Sequence, residues 1–354
     1  MINIISPINP LGYGVAGLNI VKSLYQNPEV DKVCLWLIGQ AQLTTHEDQQ
    51  IVQQCLGNGY NPDFNAPCIR IWHQHDMSQF VGRGEKIGFP FFELDKFSEQ
   101  EKYQLNNGID KLFVSSNWAK TICVDQLTLP EEQIRVVPLG VDNDIFKPKP
   151  FEETNKTIFF NCGKWEVRKG HDILCNLFNK AFEKEDEVEL WMMTSNPFLS
   201  EKEDAEWKNM YLNSKLGDKI KFIDRQTTHE EVYNIMCKTT CGIFPSRAEG
   251  WNLELLEMMA CGKQVITTNY SAHTEFCNEN NSMLVPITKT ETAYDGKWFH
   301  GKTGNWASIS ETEITMFVDM MKHVHKNHQF NKSGAETGKQ FSWRNTAQSI
   351  LSNV

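Results

Sequence analysis

Short apolar runs separated by helical stretches recur along the chain. INIIS (2–6), KVCLWLI (32–38), IRIW, KLFVSS (111–116) and IRVVPLG (134–140) are dense in Ile, Val and Leu, as strands buried on both faces of a sheet are. Residues 15–25, 98–106 and 117–127 carry helical spacing between them. Strands alternating with helices predict a parallel, doubly wound α/β sheet. Around 146–156 the text becomes FKPKPFEETNK, rich in charge and proline. A second series then opens with TIFFNCG (157–163) and runs through VELWMMT (188–194), KIKFID (219–224), CGIFPS (241–246) and QVITT (264–268). The pattern predicts two Rossmann-like domains in tandem, 1–150 and 151–334, and a closing amphipathic helix in 335–354 that packs back on the first. TKTETAYDGKWFHGKTGNW (288–306) follows neither period and reads as a long ordered loop or lid.

Composition narrows the class. With 354 residues, 40% hydrophobic and 23% charged, the chain has material for two ordinary globular cores. It holds no run of eighteen apolar residues and no basic-then-apolar leader, so a soluble, cytoplasmic protein without integral membrane association is expected. The ten cysteines are scattered without a CxxC pair, which reads as reduced thiols in a cytosol. The net charge of −10 is spread evenly, since residues 1–150 hold 12 Lys+Arg against 17 Asp+Glu. Neither half is a basic nucleic-acid surface.

Four stretches carry candidate chemistry. GYGVAG (12–17) matches GxGxxG, but PINPL separates the strand from Gly12, and the second strand ends in Gly39-Gln40 with no acid to hold a ribose. It reads instead as a glycine-rich strand-to-helix loop, where Gly12 and Gly14 let an anionic or sugar ligand approach the backbone; a plain tight turn is the alternative. WHQHD (72–76) puts His73 and His75 two apart, with no third metal ligand at a readable spacing, so His75 is expected to face a cleft between the domains. DND (142–144) reads as a turn cluster, and no metal is expected. NCGKWEVRKGHD (161–172) sets Lys164 and Lys169 around a helix start, two cations suited to a diphosphate.

PSRAEGWNLELLEMMACGK (245–263) places Glu249 and Glu257 eight positions apart, with Gly250, Trp251, Asn252 and Leu253 expected in the first turn of a helix. An ionised carboxylate only accepts hydrogen bonds, so its partners there are hydroxyls rather than phosphate. Two such groups flanking a helix N-terminus that favours an anion fit the outline of a nucleotide sugar. A base contact at Arg225, after KIKFID, is a guess from position.

Taken together, these stretches resemble glycosyltransferase family 4, retaining enzymes of the GT-B fold. The resemblance lies in the E-x7-E pattern Glu249-(GWNLELL)-Glu257 followed by MMACGKQVITT. It extends over nearly the whole chain through the glycines at 12–17, FVSSNWAK (113–120), VPLGVD (137–142), GKWEVRKG (163–170) and FPSRAEGWN (244–252). It implies two Rossmann-like domains facing an interdomain cleft. It implies that Lys164 and Lys169 neutralise the donor diphosphate, Glu249 contacts the transferred sugar, Glu257 holds the ribose, Gly14 lies near the phosphates and His75 near the sugar. Three positions depart from the pattern: Lys164 stands where many members have Arg, WNLE replaces Phe-Gly-Leu-Pro, and Gln264 replaces Pro.

The reaction implied moves a hexose from a nucleoside-diphosphate sugar, UDP-glucose or GDP-mannose among the options, to a hydroxyl with its anomeric configuration kept and no cofactor or metal. The expected acceptor is a glycan or other soluble saccharide. A hydroxymethylated base in DNA stays open as acceptor, with Arg83, Lys86 and VGRGEKIGFPFF (81–92) as contacts. A sugar-nucleotide epimerase or hydrolase of the same architecture, and a binding module without activity, stay open as other classes. Oligomeric state is left open.

Overall fold

The computed structural model describes residues 1–150 and 156–354, so part of the charged FKPKPFEETNK stretch, 151–155, lies outside the described residues. The chain divides into two compact units, Met1–Asp142 with Phe341–Val354, and Asn143–Gln340. The sequence pattern had suggested breaks at 150 and 334.

The first unit runs β1 (Ile2–Ser6), α1 (Gly12–Tyr25), β2 (Val33–Leu37), α2 (His46–Asn58), β3 (Cys68–Arg70), β4 (Lys86–Gly88), α3 (Glu99–Asn107), β5 (Lys111–Val114), α4 (Asn117–Gln126) and β6 (Ile134–Val136). Its six parallel strands are ordered β2-β1-β3-β4-β5-β6. All five residues of β1 are buried, as a central parallel strand requires. Ser98 and Ser116 start α3 and α4 by accepting the N–H of Glu101 and Ala119.

The second unit runs β7 (Thr157–Gly163), α5 (His171–Ala181), β8 (Val188–Thr194), α6 (Glu201–Leu212), β9 (Ile220–Phe222), α7 (His229–Lys238), β10 (Cys241–Phe244), α8 (Leu253–Ala260), β11 (Gln264–Asn269), α9 (His273–Phe276), β12 (Met283–Pro286), β13 (Thr290–Tyr294), β14 (His300–Ala307), α10 (Glu311–Lys326) and α11 (Lys332–Gln340). Its parallel order is β12-β11-β10-β7-β8-β9. Leu174, Leu177 and Phe178 of α5 and Phe317, Met321 and Val324 of α10 close the core over β7 and β8. Trp165 lies flat on Trp207 of α6, ring centroids 5.4 Å apart at 5°. The expected fold class, two doubly wound parallel sheets, is what the structure has.

Five local expectations are corrected. GYGVAG is not a loop, because α1 begins at Gly12 and the loop proper is 7–11. VGRGEKIGFPFF contains β4, too short to show a period, and Lys86 is its first residue. Residues 288–306 form no lid loop: β13 and β14 pair as an antiparallel hairpin with an irregularity between Thr292 and Tyr294. Its polar, glycine-interrupted sequence hides the strand alternation. The single closing helix is two, α11 in the second unit and α12 (Trp343–Leu351) in the first, broken at Phe341 where the chain changes unit. Residues 250–252 do not open the helix, since α8 starts at Leu253 and Asn252 is its cap.

Candidate active site

In each sheet the strand order reverses once, and ligands of such sheets bind beyond the carboxyl ends of the strands at that reversal. In the second unit the reversal falls between β7 and β10, which pair side by side. The turn after β7 carries Lys164, Glu166, Arg168 and Lys169, and the segment after β10 carries Ser246, Arg247 and Glu249. Topology therefore brings together two stretches about 80 residues apart in sequence.

A buried scaffold fixes the first turn. His171, the first residue of α5, accepts at Nδ1 from the Glu166 N–H (3.1 Å), and its Nε2 faces Asn161 Oδ1 at 2.9 Å. Asn161 donates through Nδ2 to the Ile243 carbonyl at 2.7 Å, tying β7 to β10. Burial lowers the His171 pKa to about 3, so the ring is neutral and holds the turn by hydrogen bonds.

On this scaffold the charged side chains form an alternating chain. Lys164 Nζ lies 2.9 Å from Glu166 Oε1. Glu166 Oε2 accepts from Arg168 Nε (3.1 Å) and Nη2 (2.7 Å). Arg168 Nη1 donates to Glu249 Oε2 at 2.6 Å and to the Ala248 carbonyl at 2.7 Å. Glu249 Oε1 accepts from Lys169 Nζ at 3.1 Å and from the Ser246 hydroxyl at 3.0 Å. Glu166, Arg168, Lys169 and Glu249 are each at most 9% exposed. Burial alone would raise the Glu249 pKa, but the charges of Arg168 and then Lys169 hold it well below the usual carboxylate range. Burial would likewise lower that of Lys169, and Glu249 and Glu254 instead raise it. Both groups are ionised at neutral pH, in a site where charges act with little screening.

The approach to α8 is held by a second buried network. Asn252 adopts left-handed backbone (φ 85°), accepts the Leu255 N–H through its side chain at 3.2 Å, and pairs with His273 Nε2 at 2.9 Å. His273 Nδ1 lies 3.1 Å from the Thr268 carbonyl, and burial lowers its pKa to about 4. The Asn252 cap takes up one N–H and leaves those of Leu253 and Glu254 outside the helix ladder, a local positive end. Trp251 is buried against Phe276, ring centroids 4.8 Å apart. Glu257 is buried one turn further along α8, 3.9 Å from His229 Nδ1. Arg225 is exposed in the loop after β9.

In the first unit the reversal falls between β1 and β3. Gly12 and Gly14 lie in the first turn of α1, and a Cβ on Gly14 would collide with the Asn9 backbone, whereas one on Gly12 would meet nothing. Tyr13 between them exchanges hydrogen bonds with both the N–H and the carbonyl of Phe91, at 2.8 and 3.1 Å. Its ring meets Trp72 and His73 with centroids 5.5 and 4.6 Å away. The imidazole packed against the glycine turn is thus His73; His75 is exposed and stacks on His73 at 5.3 Å. Arg70 fixes that turn through the Asp76 carboxylate at 2.7 Å.

Lys164, Lys169 and Glu249 belong to one connected charge chain, while Glu257 lies on α8 beside His229. Sequence reasoning gave no role to Glu166 and Arg168, the links of that chain, to Asn161 and His171, its supports, or to His273, which holds Asn252. The available signal was an acid, Glu166, inside a run of three cations that otherwise read as uniformly basic.

Residues 155–295 match the family model described as glycosyl transferases group 1. The chain is 23% identical over 295 residues to the phosphatidylinositol N-acetylglucosaminyltransferase GPI3 subunit of Saccharomyces cerevisiae, covering 71% of this chain and 64% of that one. It is 26% identical over 196 residues to the MMP alpha-(1->4)-mannosyltransferase of Mycolicibacterium hassiacum, covering 55% and 45%. The chain thus spans less than two thirds of the length of the curated relatives it matches. Among solved structures, Anabaena HepE in complex with UDP-glucose superposes with a TM-score of 0.69 at 13% identity, over 99% of this chain and 98% of that one. Residues 155–295, which hold the charge chain and α8, thus match the glycosyl transferases group 1 model, and the protein has the GT-B fold.

Proposed function

We propose that the protein transfers a hexose from a nucleoside-diphosphate sugar to a saccharide hydroxyl, with retention of anomeric configuration. The observation that carries this reading is the Lys164–Glu166–Arg168–Glu249–Lys169 chain at the strand reversal, which pairs Lys164 with Glu166 and holds the Glu249 carboxylate between Arg168 and Lys169. Glu249 would accept from hydroxyls of the sugar. Lys164, Lys169 and the N-terminal end of α8 would stabilise the charge that develops on the departing diphosphate. Glu257 would take the ribose hydroxyls. In this reading the acceptor attacks the face the diphosphate leaves, and a diphosphate oxygen takes its proton. The lysines supply the charge stabilisation that a metal supplies elsewhere. A UDP-sugar is the preferred donor, because HepE was solved with UDP-glucose.

Among the described residues no helix is long and apolar enough to cross a membrane, which accords with a saccharide acceptor in water. A DNA acceptor has less support: Lys86, one of its two expected contacts, opens a sheet strand rather than lying in a free basic loop.

The test is a melting experiment with UDP-glucose, UDP-N-acetylglucosamine, GDP-mannose and ADP-glucose, followed by nucleotide release with and without saccharide acceptors. A donor at a hundred times its Kd adds about 2.7 kcal/mol of stability. It should do so for the wild type and fail to for Lys169→Ala. Nucleotide released equally fast without any acceptor would replace transfer by hydrolysis, and a panel that stabilises nothing would refute the reading.

A further inference from the structure

Two large aromatic side chains stand in water beside the charge chain. Phe198, in the turn between β8 and α6, is 55% exposed, and Trp298, in the turn between β13 and β14, is 45% exposed. They come from distant stretches of the second unit and meet with ring centroids 6.0 Å apart, the planes at 74°. The Lys164 ammonium, at the end of the charge chain, lies 5.6 Å from the centre of the Phe198 ring.

Both rings are displayed on fixed turns. Buried Asn196 donates to the Trp165 carbonyl at 3.0 Å and accepts the Phe198 N–H through Oδ1 at 3.0 Å. Asp295 Oδ1 accepts the N–H groups of Lys297, Trp298 and Phe299 at 2.9, 2.7 and 2.8 Å, and its own N–H donates to the Phe299 carbonyl. Lys297 ties this hairpin tip to the Glu203 carboxylate of α6 and stands 5.5 Å from the centre of the Trp298 ring. Rings whose surface stays largely in water add little to stability, so their fixed placement is preparation for a ligand.

The shape of the corner selects that ligand. Planes at 74° leave no parallel slot for a flat nucleobase. A pyranose is puckered, with C–H groups on its faces and hydroxyls around its edge. One C–H face can lie on the indole while the edge of the sugar meets the phenyl ring. The hydroxyls then have the Lys164 and Lys297 ammonium groups as donors and the Glu203 carboxylate as acceptor.

We infer that Phe198 and Trp298 form a subsite for a pyranose ring of the saccharide acceptor, on the Lys164 side of the donor site. The inference rests on the reading of the acceptor as a saccharide. It gives the β13–β14 hairpin, which is paired with neither parallel sheet, the task of choosing the acceptor.

The test titrates maltotriose, chitotriose and mannotriose, in the presence of UDP, into protein labelled with fluorotryptophan. Fluorine NMR reads the Trp298 signal, assigned by its loss in Trp298→Phe. At least one of the sugars should move that signal saturably and bind Trp298→Ala and Phe198→Ala about tenfold or more weakly in calorimetry, the scale of a lost aromatic contact. UDP should bind all the proteins alike. Trp298→Phe keeps an aromatic ring and should retain most of the saccharide affinity, so it serves also if the alanine variants fold poorly. A Trp298 signal that no sugar moves, or saccharide affinity equal in the wild type and Trp298→Ala, overturns the inference while the donor reading stands on UDP binding. Vesicles of equal parts phosphatidylcholine and phosphatidylglycerol that bind the wild type but not Trp298→Ala, with no saccharide effect, overturn it in favour of a membrane contact. A wild type that binds no nucleoside diphosphate overturns the donor reading instead, and the saccharide titration without nucleotide still decides the corner.

Discussion

Arg168 holds two carboxylates that would otherwise be buried without adequate charge, which makes Arg168→Met the sharpest perturbation of the site. The substitution keeps the length of the stem and removes the guanidinium, with its bonds to Glu166 Oε2, Glu249 Oε2 and the Ala248 carbonyl. Breaking a buried ion pair from one side costs about 3–5 kcal/mol, since the surviving charge stays desolvated. In a domain of roughly 200 residues each kcal/mol moves the melting temperature about 2–4 °C, so a fall of roughly 6–20 °C is expected. Calorimetry on Arg168→Met, Glu249→Gln and the double variant is the assay. Neutralising Glu249 removes much of what the arginine was needed for, so the double variant should lose less than the sum, by about 1–3 kcal/mol. The acid limb gives a second readout. The folded pKa of Glu249 lies below its ordinary value of 4.5, so the stability it contributes is present above 4.5 and drains as pH falls through the folded value. Without Arg168 that decline should begin at higher pH. A single variant within about 1 kcal/mol of the wild type, with strictly additive double-mutant energies, would refute the view that Arg168 supports the site.

Other expectations follow from the same structure. Gly12→Ala should be neutral or about 0.5–1 kcal/mol more stable in chemical denaturation, whereas Gly14→Ala should lose about 1–3 kcal/mol through the clash with Asn9. His273 is neutral in the fold, with a pKa of about 4 against 6.5, so its share of stability is full above 6.5 and is lost as pH falls toward 4; His273→Asn should flatten the stability curve over that window. Arg247 clamps Asp172 with two 2.8 Å bonds, accepts the Ala307 N–H at its carbonyl, and lies over the Trp306 ring. Arg247→Ala should therefore speed amide exchange across β13 and β14, and unchanged exchange there would mean the hairpin is anchored by other contacts.

The legible parts of the sequence are those whose signal is local. TIFFNCG and VELWMMT coincide with β7 and β8 residue for residue, because a strand buried on both faces must be apolar throughout. β4 escaped notice because three residues set between Glu85 and Phe89 carry no period. The hairpin escaped because Gly296, Gly301 and Gly304, all at positive φ, interrupt its alternation. At the site, Lys164, Lys169 and Glu249 stood out as chemistry in stretches of familiar form. The partnership of Arg168 with Glu249 did not, because it closes across two turns that only the pairing of β7 with β10 brings together.

The return of residues 341–354 to the first unit also sets an order of events in synthesis. Trp343, Ala347 and Ile350 of α12 are buried, Thr346 donates to the Pro138 carbonyl at 2.8 Å, and the Val141 N–H reaches the Phe341 carbonyl at 2.9 Å. At elongation rates of about 5–20 residues per second, the first 142 residues leave the ribosome on the order of 10–40 s before that helix exists. Through that interval the first unit exposes the apolar surface meant for α12, while the unit encoded between can fold to completion. A later stretch of the chain completes an earlier unit, and a nascent chain stalled near residue 340 would display this surface to chaperones.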